Sequence, residues 1–231
     1  MTEIVGVIPA AGYATRLQPL ECSKEVLMVG GKPVMDHLAD RMRKGGCTRL
    51  RVVTRAEKQD VVAHCAELGA EVVLAEPATV SESFAAGMAG LAGEDIVLIG
   101  FPDTLWSPDD GYRVLVRAVQ SGCDAALGLF RIQARDLPRS DVVALDESGK
   151  VLGVHVKPEE PRSEWVWGCA AARVGTMAGL ADTEWPGGYF DQLSAEGRDV
   201  RGFPLSDDWL DIGTRDALRR AEARFAGAKP S

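Results

Sequence analysis

An α/β protein with a Rossmann-like three-layer arrangement and a mixed, mainly parallel central sheet is the fold this sequence predicts, and three observations predict it. Short apolar runs alternate with segments whose apolar residues recur at spacings of three and four, the period of a helix covering a sheet. The runs are mostly continuous rather than alternating, which suits strands buried on both faces. The first of them, IVGVI at 4–8, breaks into a turn of small residues, AAGYATR.

In order, the strand candidates are 4–8, 50–54, 71–75, 95–100 and 124–130, and the helix candidates between them lie at about 34–44, 56–67, 81–91 and 109–121. After residue 135 the texture changes. DVVALDESGKVLGVHVKP reads as two strands joined by a polar turn at Glu147, Ser148 and Gly149. Mixed strands then close the sheet, and TRDALRRAEARFAGA reads as a final helix with Thr214 as its N-cap. No linker or internal repeat divides the chain, so 1–231 is expected to be a single domain, with a change of texture at about 135.

With 231 residues, 46% of them apolar, the chain can bury a full core. Its apolar runs are too short to span a bilayer and its first residues lack a leader pattern, so a cytoplasmic location without membrane contact is expected. Five scattered cysteines with no CxxC read as small buried hydrophobes. A net charge of −8 argues against nucleic acid as a partner, because such binders present a basic surface to backbone phosphates. Small phosphorylated ligands need only a local positive cluster and a divalent cation. The oligomeric state is left open.

The turn after the first run can bring backbone N–H groups close to phosphate oxygens, with Gly12 sparing them a blocking side chain and Arg16 adding a guanidinium. GxGxxG and GxxxxGK[ST] are both absent, which removes the main support for a dinucleotide or P-loop site. Four further pieces follow: SKEVLMVGGKP, then DIVLIGFPD running to Asp103, then VHVKP with Lys157, then WLDIGT with Asp211.

Those five pieces, in that order, resemble the sugar-phosphate nucleotidyltransferases, especially the bacterial glucose-1-phosphate thymidylyltransferases and uridylyltransferases. The resemblance runs from about residue 4 to residue 218, and it implies a nucleotide-binding half at about 1–135 and a sugar-phosphate-binding half at about 136–231. It implies attack of a sugar 1-phosphate on the α-phosphorus of a nucleoside triphosphate, giving a nucleotide-sugar and pyrophosphate with Mg²⁺ as cofactor. It implies a nucleotide site of Ala10, Ala11, Gly12, Thr15, Arg16, Lys24 and Glu82, and a sugar-phosphate site of Lys157 and Gly168. Arg16, Lys24, Asp103 and Asp211 would be catalytic, the two aspartates at strand ends holding the metal.

Departures from the family pattern keep alternatives open. Ala14 stands where relatives carry glycine, Ser23 and Met28 replace two prolines, and Val156 replaces a sugar-contacting glutamate. The acceptor could therefore be a non-hexose or alcohol phosphate joined to CMP, or the chain a non-catalytic nucleotide-sugar-binding domain. Retention of both aspartates and both lysines favours the enzyme, with dTTP or UTP and glucose 1-phosphate as default substrates. Glu82 stands where thymidylyltransferases carry a base-reading glutamine. It either faces the base, accepting hydrogen bonds only, or turns outward on the first turn of its helix, favoured there by the helix dipole.

Overall fold

Residues 2–132 and 140–226 are described by the computed structural model of the chain. The strands in chain order are β1 (Ile4–Pro9), β2 (Met28–Val29), β3 (Lys32–Pro33), β4 (Arg49–Thr54), β5 (Glu71–Leu74), β6 (Ile96–Gly100), β7 (Thr104–Trp106), β8 (Ala125–Arg131), β9 (Val142–Leu145), β10 (Val151–His155), β11 (Trp165–Arg173), β12 (Val200–Ser206) and β13 (Trp209–Asp211). The helices are α1 (Val34–Lys44), α2 (Gln59–Leu68), α3 (Val80–Met88), α4 (Tyr112–Gln120), α5 (Pro186–Ala195) and α6 (Arg215–Ala226). The expected boundary near 135 and the last residues of the expected final helix lie outside the described residues.

Among the described residues nine strands form one mixed sheet, ordered β10–β9–β11–β6–β1–β4–β5, with β8 also on β11 and β12 on β8. β6, β1, β4 and β5 run parallel, while β11 joins antiparallel to β6 and β8. Because β1 and β6 are apolar along nearly their whole length and β4 over Leu50, Val52 and Val53, these strands feed two cores. Ile8, Val52 and Leu98 pack under α1, α2 and α4, whereas Val7, Val53 and Val97 pack under α3 and α5. A third, small core of Val29, Val34, Leu105, Ile212 and Ala221 seats α6 on a two-stranded ribbon of β7 and β13. Full burial of each such side chain contributes about 1.5–3 kcal/mol, enough to hold so short a ribbon in place.

Three expectations are corrected. The 71–75 strand is not buried on both faces: β5 is the sheet edge, with Leu74 60% exposed. β6 stops at Gly100, so Asp103 sits past its end on the turn into β7. Four cysteines are buried, but Cys22 is only half-buried.

β1 lies between β4 and β6, and the chain passes from one side of it to the other. The loop after β1 therefore sits at a topological switch point, where open α/β sheets leave a crevice at the strand ends.

Candidate active site

Pairing of β1 with β4 continues one residue beyond the strand, through Ala10 N–H to Val53 O at 2.7 Å. Ala10 and Ala11 are buried, while Gly12, Thr15 and Arg16 are exposed. The space beside Gly12 is open: a Cβ there would meet no atom within 4 Å. The loop then turns through Ala14, whose carbonyl accepts from Leu17 N–H at 2.9 Å, and buried Leu17 anchors its end.

Ala14 holds φ +51°, a left-handed conformation that brings an alanine Cβ against its own backbone. Glycine suits this position, and the methyl is carried at a cost. Ala14→Gly is therefore expected to raise unfolding stability by roughly 1 kcal/mol, the usual scale of that clash. A higher denaturant midpoint checks it; a lower one would mean that the entropy glycine gains on unfolding outweighs the strain.

Arg16, Lys24, Asp103 and Asp211 converge from four separate stretches. Lys24, on a single 3-10 turn at Lys24–Val26, donates to Asp103 Oδ2 at 2.8 Å. Asp103 and Asp211 flank one end of the β7–β13 ribbon, where Asp211 pairs with Thr104 and Ile212 N–H donates to Asp103 O at 2.8 Å. A Cβ on Gly213 would lie 3.1 Å from Asp211 Oδ1 and 3.3 Å from an Arg16 guanidinium nitrogen, so these groups border the same space. It is an open cleft of about 170 Å³ lined by Ala14, Thr15, Arg16, Leu17, Lys24 and Gly213.

Charge orders the cluster. Burial alone would push the Asp103 carboxyl up, but the charge and hydrogen bond of Lys24, with Arg16 behind them, hold it below the usual carboxylate range. Burial works against the Lys24 ammonium too, and Asp103, Glu25 and Asp211 together raise it above its ordinary value. Both groups stay charged.

Lys157 is exposed, with φ +43°, and its ammonium lies 3.2 Å from the centre of the Trp185 ring. Burial lowers its pKa and the Arg16 charge lowers it further, against the pull of Asp141 and Glu184. Lys157 is thus within electrostatic reach of Arg16 but outside the Lys24–Asp103 pair. Gly168 is not brought to the cleft in the same way: it is buried in β11, and the place of its missing side chain is filled by the Trp209 ring. Glu82 sits on the first turn of α3, where Thr79 Oγ1 accepts from its N–H at 3.0 Å and its own carboxylate accepts from Ala78 N–H at 2.6 Å. That is a helix-capping exchange.

A model of the MobA-like NTP transferase domain matches residues 6–147, more than half of the chain. The chain belongs to this family. It is 28% identical over 168 residues to the UTP–glucose-1-phosphate uridylyltransferase AglF of Haloferax volcanii, covering 69% of this chain and 68% of that protein. It is 25% identical over 169 residues to a glucose-1-phosphate thymidylyltransferase of Neisseria gonorrhoeae, covering 69% and 58%. A UDP-glucose pyrophosphorylase solved with UDP-glucose superposes with a TM-score of 0.83 at 15% identity, over 98% of this chain and 99% of that one, which fixes the fold. The matches span between 45% and 68% of the first curated relatives' own lengths. The resemblance to sugar-phosphate nucleotidyltransferases is borne out. No helix among the described residues is long and apolar enough to cross a membrane.

Within this MobA-like domain one segment escapes the motif reading. Residues 55–60, at the junction of β4 and α2, reach the back of the loop through Arg55 and Lys58, and reach both neighbours of Lys24: Lys58 donates to Glu25, and Asp60 Oδ1 accepts from Ser23 Oγ at 2.7 Å. Only the helix-like texture of 56–67 was visible there. Its lysine falls where the helix was expected to have begun, whereas α2 starts at Gln59. Asp141 is a second such residue, its carboxyl pushed up by burial while Trp167 Nε1 donates to it at 3.2 Å and Lys157 pulls it down.

Proposed function

We propose that the chain transfers a nucleotidyl group from a nucleoside triphosphate, dTTP or UTP, to a sugar 1-phosphate, glucose 1-phosphate by default. The observation that carries this reading is the convergence of Arg16, Lys24, Asp103 and Asp211 on one cleft at the switch point of the sheet. A phosphate oxygen of the acceptor bonds to the α-phosphorus, the bond from that phosphorus to the bridging oxygen breaks, and pyrophosphate departs. The attacking oxygen is already ionised, so no protein base is needed; positioning and positive charge are.

The roles follow from position. Amides of Ala11, Gly12 and Thr15 with the Arg16 guanidinium hold the triphosphate, Ala10 anchors their loop to β4 through its own N–H, Lys24 neutralises the α-phosphate side, and Lys157 holds the acceptor phosphate opposite. In this reading the halves on either side of residue 135 carry nucleotide and acceptor respectively. Two carboxylates suit Mg²⁺, which takes oxygen ligands and fills its remaining positions with phosphate oxygens and water, and no larger His/Cys/Asp/Glu cluster competes among the described residues. Bound there, Mg²⁺ would draw charge from the crowded oxygens. The capping bonds of Glu82 support a base read by backbone groups, which leaves dTTP and UTP ahead of GTP and CTP.

Pyrophosphate release, screened with dTTP, UTP, CTP, GTP and ATP against a panel of sugar and alcohol phosphates with Mg²⁺, tests the reading. Release with dTTP or UTP and a hexose 1-phosphate is expected; release only with CTP and an alcohol phosphate would replace the acceptor class, and none at all would remove catalysis. With the best pair, Lys24→Ala should raise KM chiefly for the triphosphate and Lys157→Ala chiefly for the acceptor, each by tenfold or more. The same pattern in both variants would refute the two-pocket division.

A further inference from the structure

Three successive carbonyls of the loop after β1 are held from behind by two cations of one short segment. Lys58 Nζ donates to Ala10 O at 2.7 Å and to Gly12 O at 3.1 Å, and between them Arg55 Nε donates to Ala11 O at 2.9 Å. In a trans peptide the carbonyl and the next N–H point in opposite directions. Carbonyls drawn toward residues 55–58 therefore turn the N–H groups of Ala11, Gly12 and Tyr13 away from them. Among the described residues, the backbone bonds of the loop include no acceptor for these three N–H groups. A cation at the carbonyl end also polarises each peptide, which strengthens its N–H as a donor.

The third ammonium proton of Lys58 goes to Glu25 Oε2 at 2.6 Å. Glu25 is 1% exposed and follows Lys24 directly, so the same side chain ties the loop to the turn that carries Lys24. Burial pushes the Glu25 carboxyl up and the Lys58 charge pulls it back. With all three donors committed, Lys58 has none left for a phosphate.

We propose that Lys58 is a positioning residue: it holds the loop with its N–H groups turned outward and, through Glu25, fixes that loop relative to Lys24. The inference rests on the triphosphate reading above, since loop and lysine serve one phosphate group in it. Its consequence is selective. Losing Lys58 weakens the triphosphate site and leaves the acceptor site, built on Lys157, nearly untouched.

Removing Lys58 alone strands a buried carboxylate, so the test uses Lys58→Met with Glu25→Gln in one chain. Arg55→Met, at a half-buried position, is the second variant. Binding of UTP and of dTTP is measured by calorimetry, KM for glucose 1-phosphate by turnover, and stability by thermal unfolding. Asp95→Asn is the control, because Asp95 is buried and accepts from Glu3 and Ala92 N–H away from the cleft. The expected result is triphosphate binding weakened tenfold or more in the double variant and severalfold in Arg55→Met. KM for glucose 1-phosphate should stay within twofold, and the control should lose stability without losing affinity. Wild-type affinity in the double variant, or equal losses for both substrates that track stability, would overturn the inference. Failure of the underlying reading looks different: the wild type itself would bind neither triphosphate, and the inference would fall with it.

Discussion

Asp103→Asn and Asp211→Asn are each expected to cut turnover by roughly a hundredfold or more, the scale on which single groups stabilise charge in a transition state. Both changes keep shape and remove a negative oxygen, so the loss should appear in kcat with either substrate saturating. The two variants should part company in stability. Asp103 is mostly buried and bonded to Lys24, and its amide leaves a half-buried ammonium without its carboxylate, a loss of roughly 1–3 kcal/mol for a bond to a charged group. Asp211 is exposed, and its amide should cost less. The pH dependence gives an independent check. Because the folded Asp103 pKa is depressed, the pair stabilises fully above the unfolded carboxylate pKa, and that contribution is lost as pH falls through the depressed folded value. Asp103→Asn should lack this acid-side decline. Near-normal turnover in either variant would remove that aspartate from the metal pair.

How much of this was legible in the sequence depended on range. The parallel strands were legible because β1 and β6 are apolar at nearly every position and β4 ends in an apolar pair, Val52 and Val53, and two-sided burial leaves that mark in the sequence. The exposure of β5 was not, because being the edge is a fact about neighbours rather than about Glu-Val-Val-Leu. The β7–β13 ribbon left no periodic signal at all: three residues on each side carry no pattern, and what makes it a unit is a rung joining positions 104 and 211. Arg16, Lys24, Asp103 and Asp211 were nameable only through motifs, and the motifs could not say that Lys24 and Asp103, 79 residues apart, form a hydrogen-bonded ion pair. Lys58 shows the opposite case. An isolated lysine in a helix-like stretch looks like a solvated one, and only the carbonyls of Ala10 and Gly12 behind it reveal its use.

Gly168→Ala is expected to be as damaging to catalysis as its size is small, and for a reason unlike the sugar-phosphate contact that the family resemblance implies. A Cβ there would sit 2.1 Å from Trp209 Cζ3 and 2.2 Å from Cη2, with Phe130 Cδ2 at 3.1 Å. Ordinary van der Waals separation requires the indole to retreat by at least about 1 Å. The ring has little room, since it belongs to a stack in which Phe130 lies 4.6 Å from Trp209 and 5.1 Å from Trp106, centre to centre. Trp209 also pairs with Trp106 across the ribbon, and Asp211 stands two residues farther along the same strand. Forcing the indole aside therefore shifts the strand that carries Asp211, one of the two proposed metal ligands. Overpacking of this kind destabilises by roughly 1–3 kcal/mol, and the accompanying loss should fall on kcat with both substrates saturating. A glycine that touched the sugar phosphate would behave otherwise: alanine would raise KM for the acceptor alone and leave the unfolding midpoint where it was. Measuring the midpoint and the two KM values on one Gly168→Ala preparation separates these outcomes, and a selective rise in acceptor KM at unchanged stability would return Gly168 to the acceptor site.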